Sequence, residues 1–277
     1  MDIKVIAADM DGTFLTTSKE YNKEKFEKVF NYLEREDIKY VAISGDQYFQ
    51  IREYFTGFTD RMTIVGDNGS YFVENDNKLK VESIDREVVS DILHFLIDND
   101  YHLDLLLDAE NQAYILRAVD EEKKKIFQFY HTKLKVIDSY FPLPNDRFTK
   151  LTFDTEIDET YEVIDKIQKI FGYEVEATTS GNGNIDVIKK GANKGAAMEY
   201  LLDRWDLSGD NLMAFGDGDN DIEMIKLAKY SYAMDNASEN LKKEAKYITK
   251  SNDEDGVLDT IIEFFNKIGR ASCRERV

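Results

Sequence analysis

Strand-like apolar runs alternate with helix-like amphipathic segments near both ends of this 277-residue chain. The run IKVIAAD (3–9) has the continuous apolar character of a parallel strand buried on both faces. A helical pattern over 22–36 follows it, and further strands are predicted at 39–44 and 62–66, separated by a helix over 46–55. This alternation is typical of a doubly wound parallel sheet, so we predict an α/β, Rossmann-like core.

The middle of the chain has a different rhythm. Helical periodicity is found at 86–98, 120–130 and 158–171, and strand-like runs at 101–107, 112–118, 148–153, 173–178 and 184–188. Paired strands followed by a helix predict an antiparallel sheet with helices on one face, an α+β arrangement. The first rhythm returns after Lys194. We therefore predict a discontinuous core over 1–83 and 184–268, interrupted by an α+β domain over 84–183.

The net charge of −19 makes nucleic acids and anionic membranes poor partners. No run reaches the roughly 18 apolar residues that span a bilayer, and the N-terminus lacks the pattern of a signal peptide. With a single cysteine, Cys273, we expect a cytoplasmic protein without a disulfide framework, monomeric by default. The tail GRASCRERV (269–277) changes composition abruptly, and we expect it to be vector-derived.

Two carboxylates follow the first predicted strand in the segment Asp9-Met10-Asp11-Gly12-Thr13. Ligands of open α/β sheets bind beyond the carboxyl ends of the strands. Asp9 and Asp11 are therefore placed to divide the roles of nucleophile and acid/base. Turn formation by Asp-Gly explains this segment equally well when it is taken alone.

Three further segments have the chemistry of a phosphate or metal site. Ser44-Gly45 ends the next strand, where a hydroxyl and the backbone N–H groups that follow can donate to phosphoryl oxygens. Lys194 begins a predicted helix and is placed to neutralise a nucleophile and a phosphate. The acidic run 216–221 (GDGDND) offers the hard oxygen ligands that Mg²⁺ prefers, although acids at a helix N-terminus are also favourable without a metal.

Taken together, these motifs resemble the haloacid dehalogenase (HAD) superfamily, and specifically its Cof-type phosphatases with a large class IIB cap. Residues 9–13 match the family's first motif, Ser44 its second, Lys194 its third and residues 216–221 its fourth. The resemblance covers 1–268 and implies that the inserted domain is a cap that closes on the substrate. The family often has an arginine after the Ser/Thr-Gly pair, where this sequence has Asp46.

The resemblance also implies a mechanism. Asp9 would attack phosphorus and form an aspartyl phosphate, and Asp11 would serve as acid and then base. Mg²⁺ would be held by the Asp9 carboxylate, the Asp11 backbone carbonyl and the Asp217 carboxylate. Asp221 would hold a metal-bound water or Lys194.

Ser44, Gly45, Lys194 and Asn220 would bind the phosphoryl oxygens. The substrate would be a small phosphorylated metabolite, with a sugar phosphate preferred over pyridoxal phosphate or flavin mononucleotide. Two alternatives remain open at this point: a phosphomutase of the same fold, and a non-catalytic relative that binds a ligand.

Overall fold

The computed structural model describes residues 3–101, 103–181 and 183–274. The chain divides into two compact units. The first comprises Met1–Ser44, Asp60–Ile64 and Asn193–Val277, and the second comprises Gly45–Thr59 and Val65–Ala192.

Strands and helices are numbered in chain order. The strands are β1 (Val5–Asp9), β2 (Lys39–Ile43), β3 (Thr63–Gly66), β4 (Tyr71–Glu74), β5 (Asn77–Val81), β6 (Leu106–Ala109), β7 (Ala113–Leu116), β8 (Leu134–Ile137), β9 (Phe148–Asp154), β10 (Val175–Gly181), β11 (Asn184–Lys189), β12 (Leu212–Gly216), β13 (Tyr230–Ala233) and β14 (Tyr247–Ile248). The helices are α1 (Lys23–Arg35), α2 (Tyr48–Tyr54), α3 (Arg86–Asp98), α4 (Glu121–Tyr130), α5 (Thr160–Phe171), α6 (Lys194–Arg204), α7 (Ile222–Leu227), α8 (Glu239–Glu244) and α9 (Gly256–Arg274).

The first unit is built on a parallel sheet in the order β14-β13-β12-β1-β2. All five residues of β1 are buried, as expected of a central parallel strand. Helix α1 buries Phe26, Val29, Phe30 and Leu33, whose spacing places them on one face. The predicted α/β class with a parallel core sheet is confirmed.

The second unit contains a six-stranded sheet in the order β10-β11-β9-β6-β7-β8. The pairings are antiparallel except that of β7 with β8, which is parallel. Apolar residues of α3 and α5 share a core with one face of the sheet; they include Val89, Ile92, Val163 and Ile167. Helices and strands therefore combine here as the α+β pattern predicted, with one parallel pairing added.

The boundary predicted after residue 183 differs from the structure. Strand β11 begins at Asn184 but pairs antiparallel with β10 and β9, so it belongs to the sheet of the second unit. An apolar run does not show which sheet a strand joins, because pairing depends on residues distant in sequence. The hairpin of β4 and β5 also lies in the second unit. That residues 84–183 act as a cap stays a prediction.

Helix α9 continues to Arg274, and residues 275–277 lie outside the described part of the chain. The vector origin of the tail stays a prediction. Among the described residues, no helix is both long and apolar enough to cross a bilayer.

Candidate active site

Neighbouring parallel strands of the first unit end at one edge of its sheet. Strand β1 pairs with β2 and β12, and Asp9 lies opposite Ile43. Ser44 directly follows β2, and Asp217 directly follows β12. Both residues therefore leave the sheet at the edge where Asp9 lies, which is where ligands of such sheets bind. Ser44 is buried.

A buried lysine joins two of these carboxylates. Lys194 Nζ lies 2.5 Å from Asp9 Oδ1 and 2.6 Å from Asp221 Oδ1. Lys194 is only 1% exposed, and Asp221 is fully buried. The side chain of Asn193 caps α6 by accepting a hydrogen bond from the N–H of Ala196 at 2.8 Å. This cap fixes the start of the helix that presents Lys194.

Asp221 organises the loop that follows β12. Its Oδ1 accepts from Lys194, while its Oδ2 accepts from the backbone N–H groups of Asp217 and Gly218, each at 3.0 Å. Both carboxylate oxygens are thus satisfied, as a buried charge requires. The predicted link between Asp221 and Lys194 is present in the geometry.

Asp217 is held from several sides. Thr13 Oγ1 donates to Asp217 Oδ1 at 2.9 Å, and the N–H of Ser238 donates to the Asp217 carbonyl at 2.8 Å. Gly12 has a φ of +75°, and a Cβ at that position would lie 2.2 Å from Asp217 Oδ2. The glycine is therefore required both by its backbone conformation and by the approach of this carboxylate.

Asp11 lies apart from the buried carboxylates. Lys19 Nζ forms an ion pair with its Oδ2 at 2.6 Å. Its Oδ1 is buried and has no hydrogen-bond partner among the described residues. An unpaired buried carboxylate oxygen is costly, and such atoms are found where a group must remain available to a ligand. The acid/base role and the backbone metal ligation expected of Asp11 stay predictions.

The carboxylates suit a divalent cation. Oxygens of Asp9, Asp217 and Asp221 lie within 4.8 Å of one another, and Lys194 is the ammonium bound to two of them. When all are ionised, three negative charges face one positive charge, and a divalent ion would balance the excess. Carboxylate oxygens are the donors that Mg²⁺ prefers. The donor set therefore fits the predicted metal.

The pKa values of these groups reflect how closely the charges lie together. Burial raises the pKa of Asp9 well above its usual range, Lys194 opposes this, and the charges of Asp221 and Asp217 add to it. Burial and Asp221 likewise raise the pKa of Asp217, against the hydrogen bond from Thr13. Burial lowers the pKa of Lys194, but Asp221 and Asp9 outweigh burial and raise it. The lysine therefore remains an ammonium at neutral pH.

Two residues of the acidic run are exposed. Asp219 accepts from Ser238 Oγ at 2.6 Å and from Asn240 Nδ2 at 3.0 Å, and these hydrogen bonds lower its pKa. Asp219 thus stabilises the local structure. Asn220 is exposed, and a Cβ at Gly218 would lie 2.7 Å from its Oδ1. Phosphate binding by Asn220 stays a prediction.

The segment after Ser44 belongs to the second unit. The Gly45 carbonyl accepts a hydrogen bond from Lys150 Nζ at 3.1 Å. The carbonyl of Asp46, which replaces the family's arginine, accepts from the N–H of Asp67 at 2.9 Å. The backbone on both sides of position 46 is therefore hydrogen-bonded within this unit.

Sequence reasoning missed supporting residues at the site. Asn236 Nδ2 donates to the Gly12 carbonyl at 2.7 Å, and Thr13 holds Asp217. Thr13 lies in the first motif, and a hydroxyl beside two acids was a usable signal. Asn236 gave no such signal, because only the fold brings it to residue 12.

The chain matches the haloacid dehalogenase-like hydrolase family over residues 6–261. It is 31% identical over 265 residues to the 5-amino-6-(5-phospho-D-ribitylamino)uracil phosphatase YbjI of Escherichia coli, covering 94% of this chain and 96% of the relative. A phosphatase of the same description from Bacillus subtilis, YcsE, is 31% identical over 264 residues, with 94% and 95% covered.

A solved structure is also similar to this chain over most of its length. The structure of SMU.1108c from Streptococcus mutans UA159 is similar to this chain with a TM-score of 0.89 and 39% identity, covering 95% of this chain and 99% of that one. The similarity extends over both units, since so little of either chain is left unmatched.

Proposed function

Since this chain belongs to the haloacid dehalogenase-like hydrolases and is a Cof-type phosphatase acting on phosphoric monoesters, we propose that it is Mg²⁺-dependent and forms an aspartyl phosphate on Asp9. The contact between Lys194 and Asp9 supports this most directly. A buried ammonium 2.5 Å from the carboxylate orients it and opposes the rise in its pKa that burial causes, as a nucleophile requires. A carboxylate used only for structure has no need to lie at the sheet edge where ligands bind.

We propose that the same residues would hold the metal. Asp9, the Asp11 backbone carbonyl and Asp217 would hold Mg²⁺, while Asp221 holds Lys194 and the loop after β12. When bound, Mg²⁺ supplies positive charge against the phosphoryl oxygens. Thr13 orients Asp217 for this role through its hydrogen bond at 2.9 Å.

The reaction has two steps on these side chains. Asp9 attacks phosphorus, a P–O bond to Asp9 forms, and the ester P–O bond breaks while Asp11 gives a proton to the leaving oxygen. Asp11 then takes a proton from the water that attacks the aspartyl phosphate, which frees phosphate and restores Asp9. Ser44, Gly45, Lys194 and Asn220 bind the phosphoryl oxygens throughout.

For the substrate, we propose a phosphorylated sugar or sugar alcohol. Two relatives that match over nearly their whole length are described as phosphatases of 5-amino-6-(5-phospho-D-ribitylamino)uracil. That compound carries its phosphate on a ribityl chain, a sugar alcohol, which supports adding sugar-alcohol phosphates to the sugar phosphates expected from the sequence. A cytoplasmic location and a monomeric state also stay predictions.

The test is phosphate release from a panel of phosphomonoesters, with and without Mg²⁺. The panel contains sugar phosphates, 5-amino-6-(5-phospho-D-ribitylamino)uracil, pyridoxal phosphate, flavin mononucleotide and p-nitrophenyl phosphate. We expect metal-dependent release by the wild type and at least a 10³-fold loss for Asp9→Asn, of the order seen when a nucleophile is removed. Asp253→Asn is the control, since Asp253 accepts hydrogen bonds from Thr17 at 2.7 and 2.8 Å.

Retained activity in Asp9→Asn would exclude the covalent mechanism. Release that is unchanged by chelation would exclude the metal. Conversion of a sugar phosphate to an isomer, without free phosphate, would instead identify a phosphomutase of the same fold.

A further inference from the structure

Strand β9 places a lysine on a buried polar face of the sheet in the second unit. Leu151 and Phe153 of β9 belong to the apolar core, whereas Lys150 points the other way and is 6% exposed. Asp108 on β6 is the register partner of Lys150. The Lys150 Nζ lies 3.5 Å from Asp108 Oδ2 and 3.1 Å from the carbonyl oxygen of Gly45. The shorter contact is therefore to a backbone carbonyl.

A histidine supports the carboxylate that faces this lysine. His131 Nδ1 lies 3.1 Å from the Phe127 carbonyl, which can only accept, so Nδ1 carries a proton. His131 Nε2 lies 3.2 Å from Asp108 Oδ1, the separation of an ion pair when the ring is protonated, although the two atoms do not form a hydrogen bond. A carboxylate at this distance favours the charged imidazolium.

The charges in the cluster agree with this protonation. Burial lowers the pKa of His131, but the nearby negative charge of Asp108 outweighs burial and raises it. Burial raises the pKa of Asp108, but the positive charges of His131 and Lys150 outweigh burial. The pKa of Asp108 is therefore lowered from its usual value. Asp108 is therefore a buried carboxylate shared by two cations.

Lys150 is surrounded by further acids from three segments. Burial lowers its pKa, but nearby carboxylates outweigh burial and raise it; they belong to Asp186, Asp108, Asp67 and Asp46. Asp67 is fully buried and accepts from Thr149 Oγ1 at 3.0 Å. Several negative charges thus hold the ammonium in one place, and they also fix the hydrogen bond that it donates to the Gly45 carbonyl.

We propose that Lys150 is a positioning residue for the Ser44–Gly45 turn, which it holds through the Gly45 carbonyl. This inference rests on the proposed function, in which Ser44 and Gly45 bind the phosphoryl group. A peptide unit is planar and trans, so its carbonyl and its N–H point in opposite directions. Fixing the Gly45 carbonyl therefore fixes the N–H of Asp46 and limits rotation of the turn that presents the Ser44 hydroxyl.

The test compares Lys150→Met, Lys150→Gln and Lys150→Arg with the wild type. Methionine removes the donor, glutamine keeps a neutral donor, and arginine keeps both the donor and the charge. The matched control is Lys189→Met, because Lys189 also donates to a backbone carbonyl from this sheet, that of Ser83 at 3.2 Å. Each protein is titrated with inorganic phosphate in the presence of Mg²⁺ by calorimetry, and kinetics are measured with p-nitrophenyl phosphate.

We expect Lys150→Met to weaken phosphate binding and to raise KM about tenfold, as for the loss of a group that orients a ligand-binding turn, with a smaller change in kcat. Lys150→Arg should recover most of the affinity and Lys150→Gln part of it, while Lys189→Met should bind as the wild type does. A thermal melt of each variant separates loss of fold from loss of affinity. If Lys150→Met does not fold, the glutamine and arginine variants still give the comparison.

Equal phosphate affinity in the wild type and the neutral Lys150 variants would overturn the proposal, as would an equal loss in Lys189→Met. A wild type that binds no phosphate would overturn it too. A different outcome would contradict the proposed function: a wild type that binds phosphate but releases none from any ester.

Discussion

Lys194 carries a buried positive charge in the site, with only 1% of the residue exposed, and two carboxylates satisfy it. Burying an ammonium costs several kcal/mol unless opposite charges and hydrogen bonds replace its water. Asp9 and Asp221 supply both, at 2.5 and 2.6 Å. Removal of the lysine would leave two carboxylates close together without a cation. The residue therefore serves stability and catalysis through the same contacts.

Lys194→Met should destabilise the protein by about 3–5 kcal/mol, the range for breaking a buried ion pair from one side. Phosphatase activity should fall by at least about 10³-fold, since the lysine orients the nucleophile. Lys25→Met is the matched control, because Lys25 also bridges two aspartates, Asp255 and Asp259, each at 2.7 Å, but at the surface.

The control substitution, Lys25→Met, should lower the free energy of unfolding by under about 1 kcal/mol. Urea unfolding followed by circular dichroism gives both values, and phosphate release gives the activity. Equal destabilisation by the two substitutions would contradict the role given to burial.

At the scale of elements, the turn after β1 brings the backbone against the loop after β12. The Gly12 carbonyl accepts from Asn236, and the space where a Cβ would stand at Gly12 is filled by the Asp217 carboxylate. The turn is therefore built to admit a carboxylate at close range.

Gly12→Ala should lower both stability and activity, whereas Gly57→Ala should lower stability alone. Both glycines have positive φ, +75° and +94°, so each alanine adds backbone strain of about 1–2 kcal/mol. A Cβ at Gly57 meets nothing within 4 Å, while one at Gly12 displaces Asp217. We expect at least a 100-fold loss of kcat/KM for Gly12→Ala only, of the size that misplacement near the chemistry produces. Normal activity in Gly12→Ala would show that Asp217 tolerates displacement.

Elements with strong local signals were predictable from the sequence. Helix α6 begins at Lys194 as predicted, because Asn193 caps it and its apolar residues repeat at helical spacing. Strand β8 was not predicted, because Lys135 and Val136 are exposed and give it little apolar character. The assignment of β11 needed its partners, which the sequence does not reveal.

Within the site, too, some residues could be predicted from the sequence and others could not. Lys194 and the carboxylates of Asp9, Asp217 and Asp221 were placed together because each follows a strand or begins a helix at one sheet edge. The cluster around Lys150 could not be predicted, since a lysine within a strand usually faces water. Only the register of β6 with β9 shows that Asp108 faces it.

At the scale of the whole molecule, the charge of −19 opposes binding of a phosphate dianion. The site must therefore reverse the field locally, with Lys194 and the proposed Mg²⁺. The second unit holds buried charges of both signs, in which the carboxylate of Asp108 lies between the cations of His131 and Lys150. The pKa of Asp67, which lies in the same cluster, is raised to about 7 by burial and by the charge of Asp108.

This shift makes the free energy of unfolding depend on pH. The pKa of Asp67 is raised above its usual value of 3.8 to about 7, so the folded state binds the proton more tightly than the unfolded state. Its contribution is fully present below the usual pKa and is lost as pH rises towards about 7. The raised pKa of His131 acts in the same direction, and the lowered pKa of Asp108 contributes stability that is lost only in acid.

Asp67→Asn should therefore flatten the decline in stability between the usual pKa of 3.8 and about 7, because an amide cannot ionise and no buried negative charge forms as pH rises. Relative to the wild type, the variant should gain more stability at a pH above about 7 than at a pH below 3.8. The measurement is the urea midpoint of both proteins at each pH, with Asp60→Asn as control, since the Asp60 side chain is 68% exposed. Wild-type and Asp67→Asn curves that run parallel across this range would show that Asp67 keeps the same charge in the folded and unfolded states.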